Sequence, residues 1–139
     1  MKKEIHRGNV HYTIDWSPHT DYDKFRVRGL PDTPGIVELF HRHAPGSLES
    51  LIFLDCWREG LRTGIAMFMD PLVPRLEDIR TQICDLDLVY RFCPVETSPR
   101  DLKDILHWLI RTYKPKYNNH EYSCSRRYDA IAVTETERS

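Results

Sequence analysis

The residues best suited to chemistry gather toward the C-terminal end. Residues 111–128 carry Arg111, Lys114, Lys116, Arg126 and Arg127 against Glu121 alone, a local net of +4 in a chain whose formal net charge is −1. Four of the seven tyrosines, Tyr113, Tyr117, Tyr122 and Tyr128, interleave with those cations. Cations that neutralise phosphates, beside rings that stack on bases, are what a sequence-tolerant nucleic-acid surface needs. The plainer alternative is a solvated, tyrosine-rich loop and edge strand packed on the core. A second group is His41-x-His43, two imidazoles on one face of a strand and so a metal pair in principle. No third ligand is evident nearby, and chance surface placement is the simpler reading. A third is Asp55, which ends an apolar run and with Asp15 or Glu38 could supply oxygen ligands to a hard cation. Trp108 falls on the polar side of its helix with Asp101, Asp104 and Arg111. An exposed indole there would anchor a protein interface, unless the chain after residue 119 folds back over it.

The background that positions these groups is ordinary. The chain has 139 residues, 40% hydrophobic and 29% charged, which suits one domain able to fold without disulfide or metal. A net charge near zero excludes a global field for nucleic acid or membrane, so any such role needs a local patch. No apolar run approaches the roughly 18 residues of a membrane span. The opening "MKKEIHRGNV" has lysines but no apolar segment behind them and does not read as a secretory signal. Cys56, Cys84, Cys93 and Cys124 form no C-x-x-C pair, which argues against a zinc ribbon and for reduced, mostly buried thiols in a cytoplasmic protein.

Hydrophobic spacing supplies the elements. Residues 10–16 alternate Val10, Tyr12, Ile14 and Trp16 against polar neighbours, as a half-buried strand does. Turn chemistry in "SPHTDYD" and "GLPDTPG" precedes strands over 35–43 and 51–56, joined as a hairpin by "APGSLES". Helices are expected over 57–69, where Gly60 and Gly64 would permit close packing, and over 75–84. A strand over 86–95 follows, entered through a turn at Asp85 and Asp87. The last helix is the clearest: Ser98 as N-cap, Pro99 at the first position, Asp101 completing a capping-box pattern, an apolar stripe from Leu102 to Tyr113, and Pro115 as its stop. The final "TETERS" reads as solvated and frayed. The order predicts an α/β or α+β fold: a small mixed or antiparallel sheet flanked by helices, with an extra N-terminal strand.

Two segments of this order resemble a known family. "TPGIVELF" (33–40) is similar to the opening strand of the GIY-YIG endonuclease domain, and "LIRTYKPKYNN" (109–119) resembles the helix end and exit that close it. The resemblance covers residues 34–119. It divides the chain into a 1–30 extension, a 34–119 core and a 120–139 tail. It implies a ββαβα core that hydrolyses DNA with one divalent metal, using two tyrosines, a phosphate-binding arginine, a metal-binding glutamate and a closing asparagine. Carried over by position, Arg62 fits the arginine and Asn118 the asparagine. The tyrosine positions fall on Val37 and on Leu54, or on Phe53 if the second motif slides by one. The glutamate position falls on Leu106. Isopropyl and isobutyl groups neither relay protons nor bind a hard cation.

The expected function is therefore a non-catalytic, GIY-YIG-like binding module. Its nucleic-acid contacts would be Arg62, Lys114, Lys116, Tyr117, Asn118, Arg126 and Arg127, or its protein contact Trp108. No cofactor is expected. The alternatives are a Mg2+-dependent endonuclease with a metal site rebuilt around Asp55, and a structural or oligomerising domain.

Overall fold

A computed structural model describes residues 1–73, 77–118 and 122–137. Its elements run β1 (Lys2–His6), β2 (Asn9–Trp16), β3 (Thr20–Asp21), α1 (Lys24–Val27), β4 (Gly35–Arg42), β5 (Leu48–Asp55), α2 (Leu61–Met69), α3 (Glu77–Ile83), β6 (Leu88–Pro94), α4 (Pro99–Tyr113) and β7 (Ala130–Glu137). This is a mixed α+β fold with two sheets where the sequence predicts one. The first, ordered β1-β2-β7, has an antiparallel and a parallel pair; the second is antiparallel, ordered β3-β6-β4-β5.

The first sheet changes the reading of both ends. β1 is a second strand in the 1–30 extension, where one was expected, and β7 takes in Thr134–Glu137 of the segment expected to fray; Arg138 and Ser139 lie outside the described residues. β7 pairs along the whole of β2, from Asn9 opposite Ala130 to Trp16 opposite Glu137. Extension and tail thus build one sheet together. Only Val133 of β7 is buried, so the strand is held mainly by its ladder and shows little apolar alternation.

β4 is the middle of the second sheet and is buried from Gly35 to Phe40. Its two faces serve two cores. Ile36, with Phe53 and Cys93, packs toward α4 and the first sheet, where Leu102, Ile105, Leu106, Leu109 and Ile110 meet Val10, Tyr12, Ile14 and Trp16. Val37 and Leu39, with Leu54 and Tyr90, pack on the opposite face under α1, α2 and α3. The expected half-buried alternation of β2 holds: Val10, Tyr12, Ile14 and Trp16 are buried against α4 and the residues between them are not.

Several boundaries move. α2 starts at Leu61 rather than at 57, since Gly60 sits at φ +86°, outside helical space, as its N-cap. Gly64 does permit close approach: a Cβ there would stand 2.5 Å from Cys56 Sγ. α3 is described from Glu77; the first two residues expected in it, 75 and 76, lie outside the described residues. α4 follows expectation, with the Ser98 hydroxyl accepting from Asp101 N–H at 3.0 Å and Lys114 capping its end at φ 48°. The Asp101 carboxylate does not close a capping box; it turns to other partners.

Among the described residues no helix is long and apolar enough to cross a membrane.

Candidate functional site

The positions that the nuclease resemblance singles out do not form one cleft. Val37 and Leu54 are cross-strand partners, and Phe53 stands opposite Glu38. Val37 and Leu54 are buried beneath α2 and α3, whereas Leu106 is buried in the core on the other face of the sheet. Arg62 lies exposed in the first turn of α2 and pairs with Asp32 at 3.4 Å. Asn118 clamps β5: its Nδ2 donates to Phe53 O at 2.8 Å and its Oδ1 accepts from Phe53 N–H at 3.2 Å. Two hydrogen bonds to backbone make that amide a structural staple. Asn119 lies outside the described residues.

The acids considered for a rebuilt metal site also stay apart. Asp55 accepts the Trp57 N–H at 3.0 Å as a turn residue. Asp15 lies by the chain's amino group and takes the Thr136 hydroxyl. Glu38 is 1% exposed and is held by Arg91 and by the Ser50 hydroxyl, both at 2.8 Å. Burial pushes its carboxyl up from the ordinary value, against the pull of Arg91 and Ser50. Among the described residues these three acids make no cluster of metal ligands.

Glu38 belongs to a polar seam between the sheets that sequence spacing did not reveal. Arg91 bridges Glu38 of β4 and Glu135 of β7, and lies 4.1 Å from the Trp16 ring centre. Trp16 Nε1 donates to Glu135 at 2.7 Å, and the Tyr113 hydroxyl donates to the same carboxylate. Every partner comes from a different element. No described buried side-chain polar atom lacks a hydrogen bond, and this seam ties the layers together.

A second network docks the tail on α4. Asp101 and Asp104 are 2% and 0% exposed, although the sequence places both on the polar side of the helix. Arg127 donates to Asp101 at 3.0 Å and Asp104 at 3.1 Å, and Ser125 donates to Asp104 through both N–H and hydroxyl. Lys3, Tyr12 and Thr97 donate to Asp101 as well. Burial alone would raise the Asp101 carboxyl, but the donors Lys3, Thr97, Tyr12 and Arg127 outweigh it and hold the group well below the usual carboxylate range. Arg127 is therefore committed to two carboxylates of α4, a correction to its expected place on a nucleic-acid surface. Trp108 is half-buried, packed on the core beside the tail, which is the covered alternative rather than a projecting anchor.

What remains outward on α4 is a row of cations, Arg100, Lys103 and Arg111, with His107 among them and Lys114 at the C-cap. Arg100, Lys103, His107 and Arg111 step by 3, 4 and 4, so they fall within about a quarter turn and span roughly 17 Å of helix. Two grooves run between this row and the tail and meet at Cys124. One, of about 450 Å³, is lined by Arg100, Lys103, Ser123, Ser125 and Arg126. The other, of about 640 Å³, includes His107, Trp108, Arg111, Tyr128 and Asp129. Arg100, Lys103, Arg111 and Arg126 have no carboxylate partner among the described residues, and Asp129 is the one acid lining either groove. His107 Nδ1 donates to Tyr122 O, which pins the groove's far wall. The sequence reading caught Arg111, Lys114 and Arg126 but missed Arg100 and Lys103; helical periodicity applied to charges, as it was to apolar residues, was the available signal.

Of the remaining expected contacts, Lys116 and Tyr117 lie past the helix exit, with the Tyr117 hydroxyl on Gln82 at 3.1 Å. Tyr117 and Asn118 border an apolar cavity of about 270 Å³ between β5 and α2, lined by Ile52, Leu54, Met67 and Phe68.

A protein-family model described as "Uncharacterised protein" matches residues 1–139. No curated protein and no solved structure matches the chain.

Proposed function

The chain belongs to the family of that full-length model, and we propose that it is a non-catalytic module that binds the phosphate backbone of nucleic acid along α4 and the docked tail. One observation carries this reading: a helical row of cations, continued by Arg126, that have no carboxylate partner among the described residues, while Arg127 and Arg91 are paired elsewhere. Cations at about one-turn intervals suit a polyanion, and the adjoining groove is bordered by the partly buried rings of Trp108 and Tyr128. The interaction reads charge and not sequence, because the row aligns no fork of donors with a base edge.

The GIY-YIG resemblance is compatible with this role. β4, β5, β6 and α4 follow the ββαβα order with β4 central, α2 and α3 standing where one helix is implied. Val37, Leu54 and Leu106 supply neither base nor metal ligand, so the reading excludes hydrolysis by the family's chemistry.

Fluorescence anisotropy with a labelled single-stranded oligonucleotide between 50 and 200 mM salt tests it. Engagement of four cations predicts a log–log salt slope of about −3, and Arg100→Ala with Lys103→Ala should flatten it by about 1.4. Arg126→Ala should flatten it by about 0.7. Absence of binding at 50 mM salt, or a slope that ignores all three substitutions, would refute the proposal and favour a protein partner or a structural role.

A further inference from the structure

The hairpin β4–β5 carries a second surface feature, far in sequence from α4. His41 lies on β4 and His43 one residue past its end, and their rings lie side by side. Glu49 of β5 stands directly opposite His41 in the ladder. The third ligand that the sequence does not disclose is therefore supplied by strand register. Nitrogen atoms of both imidazoles and a carboxylate oxygen of Glu49 all lie within 4.8 Å of one another. Glu49 Oε1 is 3.0 Å from His43 Nε2 and 3.9 Å from His41 Nδ1, and the ring centres are 3.9 Å apart.

These separations suit a common ion. Ligands at a tetrahedral centre with bonds near 2.0–2.1 Å stand about 3.3 Å from each other, and the two observed distances to Glu49 bracket that edge. Side-chain rotation alone brings the third into range, since His41, His43 and Glu49 are 22%, 45% and 41% exposed. The backbone beneath is fixed. The His43 N–H donates to Ser47 O at 2.8 Å across the turn, and Arg42 between the two histidines clamps Asp21 and Asp87 at 2.7 and 2.9 Å. A rigid strand pair presenting three groups on one side leaves the other side of the ion to water.

We propose that His41, His43 and Glu49 form a binding site for a divalent transition cation of the zinc class, with water completing its coordination. Two imidazoles and one carboxylate select this class over Mg2+ and Ca2+, which demand oxygen ligands. The site stands on its own and does not depend on nucleic-acid binding by α4.

The test uses the full chain stripped with EDTA. Zn2+ is titrated against a chromophoric chelator, and Co2+ binding is read by visible absorption. The expected result is one ion per chain, unaffected by excess Mg2+. Losing an outer-sphere partner alone costs a metal site about 10–100-fold, so His43→Ala and Glu49→Gln should each weaken binding by at least tenfold. Cys84→Ser, which alters an exposed thiol, should leave affinity unchanged. Far-UV circular dichroism confirms that each variant is folded; should His43→Ala fail to fold, Glu49→Gln decides. No one-to-one binding by the parent chain, or parental affinity in Glu49→Gln, overturns the assignment.

Discussion

Removing the Arg127 guanidinium should unseat the tail. Arg127→Met keeps much of the side-chain stem but deletes the donors to Ser125 Oγ at 2.9 Å, Asp101 at 3.0 Å and Asp104 at 3.1 Å. Breaking a buried ion pair from one side costs about 3–5 kcal/mol, because the remaining charge is stranded. Here the cost is smaller. Asp101 keeps Lys3, Tyr12 and Thr97, Asp104 keeps both donors of Ser125, and the Arg127 side chain is 26% exposed. The expectation is a loss of about 2–3 kcal/mol, which for a chain of this size lowers Tm by roughly 10 °C. Urea unfolding followed by tryptophan fluorescence measures it, because Trp16 and Trp108 both pack on the core that α4 shares with the first sheet. A cycle with Asp104→Asn should return a coupling of about 1 kcal/mol or more. A loss below 0.5 kcal/mol, or no coupling, would mean that the tail is held by its β7 ladder alone and that the network contributes no stability.

Other expectations are as direct. Because the folded Asp101 carboxyl titrates below its ordinary value of about 3.9, its stabilisation is present above that pH and is lost as pH falls beneath it. The unfolding midpoint of Asp101→Asn should therefore fall less steeply than the parent's from about pH 4 down to pH 2; parallel slopes would exclude Asp101 as a source of acid sensitivity. Burial pushes the Cys56 and Cys93 thiols up to about 12, whereas Cys84 is exposed and Cys124 half-buried. A thiol reagent should label Cys84 first and Cys124 more slowly, and Cys84→Ser should abolish the fast phase; rapid labelling of Cys56 or Cys93 in the folded protein would contradict the packing.

The amino-acid sequence by itself determined those features that depend on near neighbours. β2, the β4–β5 hairpin, β6 and α4 are legible because apolar spacing, turn residues and the Ser98–Pro99 start act within a few residues of each other. That Val37, Leu54 or Phe53, and Leu106 carry neither a proton relay nor an oxygen ligand is equally plain, since side-chain chemistry needs no fold to be read. Tertiary structure decided the rest, because it turns on groups that meet only after distant segments pair. Asp101 and Asp104 read as a solvated face until Arg127 arrives to compensate their burial. β7 carries too few apolar residues to announce a strand, and exists because β2 offers a parallel edge. Arg100 and Lys103 become candidate contacts when the docked tail forms a groove beside them and takes Arg127 out of it. Glu49 joins His41 and His43 only through the register of the hairpin. Local pattern fixes elements, but which charges are paired within the fold and which stay at its surface is a long-range balance of burial against pairing.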